Sequence, residues 1–268
     1  MADRTMRADA TREAILDAAE RLFAEDGVFA VSNRQVSEAA GQGNNAAVGY
    51  HFGTKADLIR VIIRRRSARI EAIRAGMLEA LPAAPALRDW LACLVGPATV
   101  HLAELGEPSW YARFGAQVMT DPTLRPIMVE EALTSPNLAR IVEGLRGALP
   151  ELPDDVRAER ADMARQLMVH MLAERERALA EGTPTPRATW EDAATGLVDA
   201  LAGMWRAGTG QGDECAGGHD RRVYWTGSGV ARRAKCTRCG RELPLTEAEK
   251  AREAMWNPMD FLEDLPDD

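Results

Sequence analysis

The chain has 268 residues and a net charge of −8, with 46% hydrophobic and 5% aromatic residues. This length exceeds one typical domain, and the stretches rich in Ala, Leu, Arg and Glu predict a mainly helical protein. No apolar stretch approaches the roughly 20 residues of a membrane span, which argues against a membrane partner. The N-terminal residues lack the apolar region of a signal peptide, so we expect a cytoplasmic protein.

The charge is unevenly distributed along the chain. Residues 1–66 hold 10 Lys and Arg against 9 Asp and Glu, whereas residues 67–210 hold 14 against 20. Within residues 44–66, five basic side chains stand against Asp57 alone. Basic charge gathered in one segment is typical of a nucleic-acid contact, and the acidic middle region argues against DNA contact there.

The first predicted helix is followed closely by two short ones. Residues 9–26 have apolar residues at helical spacing, and Gly27 follows them. A second helix starts after Ser32, which forms a capping box with Gln35, and it ends before Gly41. The turn GQGNN leads to a third helix, AAVGYHF. Two short helices joined by a glycine-containing turn predict a helix-turn-helix, whose second helix can enter a DNA major groove.

Seven further helices are predicted after the helix-turn-helix. The fourth helix begins at Lys55, with Thr54 as its cap, and runs to about residue 80. The others cover residues 86–105, 110–120, 123–133, 137–149, 154–181 and 189–206. The last two carry wide apolar stripes, which favours burial against a second copy of the chain, although core packing alone is the alternative.

The C-terminal part differs in character. The predicted segments are a flexible linker at 208–214, a β-hairpin around 227–229, a helix at 245–256 and an acidic tail at 258–268.

Cysteine and histidine spacing predicts a metal site in this part. Cys215 precedes His219 by four positions, and Cys236 precedes Cys239 by three, on either side of the predicted hairpin. Three thiolates and one imidazole in two close pairs are typical of tetrahedral zinc, and four protein ligands make the zinc structural. We therefore predict a zinc-ribbon-like module over residues 215–257. A redox dithiol or a coincidental C-x-x-C is the alternative.

The motifs LDAAERLFAEDG, AAG and YHFGTKADLI lie within residues 11–63. They resemble the DNA-binding domain of the TetR family of bacterial regulators. The turn is about one residue longer than the common A-G-V-S-x-G of that family and is similar to a subgroup with A-G-Q-x-N-N-x-A-V-x-Y-H-F-G.

The resemblance implies an all-α fold with a three-helix DNA-binding domain at 1–54 and a helical ligand-binding and dimerisation domain at 55–207, to which this chain adds the small β-hairpin zinc module. It also implies a homodimeric repressor, not an enzyme, that binds double-stranded DNA at a near-palindromic operator and responds to a small-molecule effector. The effector is unknown from the sequence. The alternative is a regulator whose sensing or partner docking is done by the zinc and thiol module.

Several side chains are predicted to contact DNA. Asn44 and Asn45 begin the recognition helix, where an Asn side chain can pair with adenine or can instead form the turn and cap the helix. Arg34 lies where the DNA backbone would cross the second helix.

Further phosphate contacts follow from the family resemblance and from charge. Tyr50 and His51 resemble the aromatic pair of the family whose polar tips touch phosphates, whereas Phe52 is predicted to be core. Lys55 stands at a helix N-terminus, where its ammonium suits a phosphate. Arg64–Arg66 lie too far along the fourth helix for bases and are predicted to form a solvated or ion-paired face.

The middle region offers only weak candidates for a ligand pocket, each of which is equally compatible with a core position. They are His101, Trp110, Tyr111, Phe114, Met119 and His170.

Overall fold

The structure is a computed structural model that describes residues 2–44, 46–207, 221–225, 231–236 and 242–246. The chain forms two compact units, Met1–Arg206 and Ala207–Asp268. No helix within the described ranges combines the length and apolar character needed to cross a bilayer.

The described part of the first unit is built from α-helices. Their bounds are α1 Ala2–Asp26, α2 Asn33–Ala39, α3 Ala47–Phe52, α4 Lys55–Glu79, α5 Leu87–Leu105, α6 Tyr111–Thr120, α7 Arg125–Leu133, α8 Pro136–Ala148, α9 Asp154–Ala180 and α10 Trp190–Arg206. Each predicted helix of this unit is present and ends within a few residues of its predicted bounds. The exception is α1, which begins at Ala2 instead of residue 9.

Local capping signals explain where the short helices begin and end. The Ser32 side chain accepts from the Gln35 amide, and Gln35 Oε1 accepts from the Ser32 amide at 2.8 Å, which confirms the predicted capping box. Thr54 and Asp57 form the same reciprocal pair at the start of α4. Gly41 has φ +68°, a conformation that L side chains rarely adopt, and it follows the last turn of α2.

One apolar core joins the first four helices to α6 and α7. Phe23 of α1 stacks on Phe114 of α6 with ring centroids 6.3 Å apart, and both side chains are fully buried. Val118 from α6 and Ile127 from α7 enter the same core. The core therefore runs across the predicted boundary after residue 54.

A second core lies between α5, α9 and α10. Leu197, Leu201 and Trp205 of α10 are buried there, so packing within the chain accounts for much of the apolar stripe on the last helix. Met163 and Met171 of α9 remain 47% and 54% exposed, which leaves apolar surface on that helix.

The described part of the second unit is a small antiparallel sheet in the order β1-β2-β3, with β1 Arg221–Trp225, β2 Ala231–Cys236 and β3 Glu242–Leu243. Arg221 pairs with Cys236. The predicted zinc ligands Cys215, His219 and Cys239 lie outside the described residues, as do the linker, the acidic tail and most of the predicted helix at 245–256.

Candidate DNA-binding surface and effector cavity

The recognition helix α3 is held by its apolar side and presents its polar side. Val48 is fully buried and Phe52 is 8% exposed, which confirms Phe52 as a core residue, whereas Tyr50 is 84% exposed. Arg12 of α1 places its guanidinium 4.5 Å from the Phe52 ring centre and donates to the His51 carbonyl at 2.9 Å. These contacts fix the orientation of α3 and leave the Tyr50 hydroxyl accessible to a partner.

The turn before α3 is shaped by Asn44. Its Oδ1 accepts from the Ala46 amide at 2.9 Å, and the residue is exposed. This is the turn-forming role that was the alternative to base contact. Asn45 lies outside the described residues, and base contact by either Asn stays a prediction.

Lys55 has a structural role that the sequence did not indicate. Its Nζ donates to the Val28 carbonyl at 2.9 Å and to the Val31 carbonyl at 2.5 Å, and it lies 5.9 Å from the Phe23 ring centre. Partial removal from water lowers the pKa of Lys55. The ammonium therefore joins the start of α4 to the loop between α1 and α2. Two of its three N–H groups are used, so the predicted phosphate contact would have to use the third.

Arg34 is the more accessible cation. Its Nε donates to Glu38 at 2.7 Å within α2, and its side chain is 71% exposed. An exposed pair of this kind contributes little to stability, so the guanidinium can exchange Glu38 for a phosphate at small cost.

The three consecutive arginines of α4 are ion-paired, as predicted. Arg65 and Arg66 both donate to Glu20, which is 2% exposed, and Arg64 donates to Glu131 of α7 at 2.8 and 2.9 Å. Their charge is used to join α4 to α1 and α7. The basic segment 44–66 therefore supplies less free positive charge for DNA than its composition indicated.

A cavity of about 1120 Å³ lies between α4, α7, α8 and α9. Its wall is largely apolar and includes Leu94, Met128, Leu133, Val142, Leu145, Met168 and Trp205. Of the pocket candidates named from the sequence, Tyr111 and Met119 line it. The other candidates do not line it. Phe114 lies in the core, and His101 is buried with its ring centre 6.0 Å from that of Tyr111. Trp110 Nε1 donates to Glu25 at 2.9 Å, and His170 is exposed.

The cavity also has a polar wall on α4. Arg74 is 9% exposed and pairs with Glu71, and Glu71 accepts further from Ser135 at 2.5 Å and Asn137 at 3.3 Å. Burial raises the pKa of Tyr111, so its phenol stays protonated and can donate. No sequence signal distinguished Arg74 from the other arginines of α4, because its burial depends on α5, α7 and α8.

Helix α6 links this cavity to the DNA-binding helices. Glu176 of α9 is 1% exposed and accepts from the amides of Ala112 and Arg113 at 3.1 and 2.9 Å, which satisfies the first turn of α6. At its start, α6 places Tyr111 in the cavity, and one turn later it places Phe114 in the core of α1. A shift of α6 would therefore move Tyr111 in the cavity and Phe114 in the core together.

This arrangement defines a helix-turn-helix regulator whose remaining helices share its core and border a ligand-sized cavity. Residues 15–62 match the family described as bacterial regulatory proteins, tetR family, and residues 92–204 match the tetracyclin repressor-like, C-terminal domain. The chain belongs to the TetR family of transcriptional regulators. Members of this family are DNA-binding transcription factors and not enzymes.

Several solved structures are similar to the chain. It is 19% identical to the regulator PfmR from Thermus thermophilus over 72% of this chain and 97% of that one, with a TM-score of 0.45. A putative regulator from Shewanella gives 17% identity, 73% and 96% coverage and a TM-score of 0.48. The multidrug binding protein EbrR, solved with malachite green, is 22% identical to the chain over 73% of this chain and 98% of that one, with a TM-score of 0.40. None of the curated proteins matches the chain.

The role of Lys55 leads to a stability prediction. Lys55→Met should lower the free energy of unfolding by about 2 kcal/mol without DNA, because two carbonyls of buried residues lose their donor. Urea denaturation measures the difference. Arg34→Met is the matched control, and its exposed side chain predicts a change within about 0.5 kcal/mol. Unchanged stability of the Lys55 variant together with lost DNA binding would assign the ammonium to phosphate and not to the loop.

Proposed function

We propose that the protein is a ligand-responsive repressor that binds a near-palindromic operator as a homodimer. The observation that carries this proposal is the shared core, in which α3 is mounted on the same packed helices that border the cavity. A regulator needs such a connection, because a ligand must bind the DNA-competent and the released forms unequally to change their ratio.

The DNA-binding part of the proposal rests on α3 and its surroundings. The helix exposes Tyr50, the adjoining turn exposes Asn44, and α2 exposes Arg34 on its accessible side. The His51 ring lies edge-on to the Tyr50 ring with centroids 5.1 Å apart, and Lys55 joins the start of α4 to the loop before α2. Phosphate contact by His51 and Lys55 is part of the proposal. Two such modules related by a two-fold axis would occupy half-sites about 10 base pairs, or a multiple of that, apart.

The homodimer rests on the apolar surface left on α9. Met163 and Met171 are about two turns apart on this helix, both are about half exposed, and the partly buried Leu167 lies between them. Met204 of α10 borders the same surface as Met163 and Leu167. A second copy of the chain would remove these side chains from water.

Selection of bound sites from random DNA tests the function directly. Full-length protein should enrich one near-palindromic sequence with two half-sites, since a symmetric dimer reads the same bases twice. Sequencing of the retained pool gives the result. Enrichment of a single half-site contradicts the dimer, and absence of any enriched sequence contradicts the operator-binding function.

Two variants divide the DNA contacts into base readout and phosphate contact. Asn44→Ser keeps an acceptor for the Ala46 amide but removes the amide donors, so it should lose discrimination at one base pair by about tenfold. Tyr50→Phe should weaken binding to the operator and to its single-base variants equally. Titrations at one salt concentration compare them. Uniform weakening by Asn44→Ser would restrict Asn44 to the turn.

We also propose that the C-terminal module binds structural zinc through Cys215, His219, Cys236 and Cys239. Its support is the ligand spacing in the sequence together with the strand register, which pairs Cys236 with Arg221, two positions after His219. A metal bound by these residues would supply much of the folding free energy of so small a module.

Metal analysis of the full chain tests this proposal. We expect about one zinc per chain, loss of that zinc in Cys236→Ser, and unchanged thermal unfolding of the helical unit, because the four ligands saturate one tetrahedral ion. Cys93→Ser is the control, since Cys93 is buried in the helical unit and should not affect zinc content. Equal zinc content in wild type and Cys236→Ser refutes the site.

The sensing alternative for this module has its own test. Removal of residues 211–268 should abolish regulation if the module senses zinc or oxidation. If operator binding and effector response are unchanged by the truncation, the module is not the sensor.

A further inference from the structure

The guanidinium of Arg74 is incompletely paired in the wall of the cavity. Arg74 is 9% exposed, and Glu71 is its one ion-pair partner among the described residues. Its Nε is buried and has no acceptor in the same part of the chain. Removal from water lowers the pKa of Arg74. A buried donor without an acceptor is costly, and Arg74 lines the cavity, so a ligand there that supplies an acceptor to its guanidinium would be favoured.

The carboxylates that line the cavity, unlike Arg74, are fully paired. Glu71 accepts from Arg74, Ser135 and Asn137. Glu131 pairs with two arginines of α4, and Asp154 pairs with Arg157. Each carboxylate of the lining therefore already has a cationic partner. A cationic ligand would have to displace an arginine, whereas an anionic one would not.

The other arginines of the lining are paired and closer to solvent. Arg146 pairs with Glu143 and Arg165 pairs with Asp162, and the Arg146 side chain is 63% exposed. Arg74 is thus the cation that combines burial with an unused donor. The remaining wall is mostly apolar, and a cavity of about 1120 Å³ has room for a drug-sized molecule.

We propose that the effector is an amphipathic carboxylate, whose anionic end pairs with Arg74 and whose apolar body fills the cavity beside α8 and α9. A planar carboxylate matches the guanidinium geometry, and a charge-assisted hydrogen bond to it is stronger than one to a neutral acceptor. Its effect on DNA rests on the proposed repressor function, but its binding does not.

Calorimetric titration of the full chain with three probes of equal carbon number tests the ligand class. The probes are decanoate, decanol and decylammonium. Decanoate should bind at least about tenfold more tightly than either of the others, because it alone supplies a charged acceptor to Arg74. No heat from decanoate up to millimolar concentration, or equal or tighter binding of decanol or decylammonium, overturns the proposal.

A pair of variants assigns the selectivity to one side chain. Arg74→Met should weaken decanoate binding about tenfold and leave decanol binding unchanged, because it removes the charge but keeps an unbranched apolar stem. Arg146→Met, in the same lining but exposed, should change decanoate binding less than about twofold. Equal decanoate affinity in wild type and Arg74→Met refutes the role of Arg74. Should Arg74→Met fail to fold, the ranking of the three probes on the wild-type chain decides.

The DNA experiment is separate from the binding experiment. If decanoate binds selectively but the selected operator is not released, the ligand class stands and the ligand-responsive part of the proposed function fails. If no operator is selected, the probe ranking still decides the ligand class, because it is measured without DNA.

Discussion

The contact between Phe23 and Phe114 joins the part of the chain that reads DNA to the part that encloses the cavity. Their rings stack with centroids 6.3 Å apart, and neither side chain is exposed. Helix α6, which carries Phe114, has ten residues and serves three neighbours. Glu176 of α9 accepts from amides of its first turn. One side of α6 packs in the core with α1 to α4, and its Tyr111 and Met119 line the cavity. Close-packed interiors transmit displacement instead of absorbing it, so α6 cannot adjust to one neighbour alone.

Ion pairs also join α4 to its neighbouring helices. Arg65 and Arg66 of α4 converge on the buried Glu20 of α1, and Arg64 joins α4 to Glu131 of α7. Removal of one partner from a buried pair is strongly destabilising, so the two pairs with Glu20 constrain the angle between α1 and α4. In the proposed function, DNA recognition is then left to a few exposed side chains, because the arginines at 64–66 of the basic segment are ion-paired within the protein.

The sequence predicted the features that depend on near neighbours. The capping box at Ser32, the cap at Thr54 and the glycine after α2 lie within a few residues of the groups they satisfy, so spacing alone located α2 and the start of α4. The roles of Lys55, Arg74 and Glu176 depend on partners that only the folded chain brings close. Lys55 meets carbonyls 24 and 27 residues away, and Glu176 meets amides 63 and 64 residues away. A lysine or glutamate in a helical pattern has the same local signature whether it is solvated or buried.

The shared core is tested most directly by native-state amide hydrogen exchange in increasing denaturant. If α1, the first half of α4 and α6 form one packed unit, the amides of Phe23, Ile62 and Phe114 should open with one common free energy. Mass spectrometry of short peptides covering these helices resolves the three regions. Opening of α1 to α3 at a distinctly lower free energy, while α6 stays protected, would contradict the account, because the DNA-binding helices would then fold and move independently of the cavity.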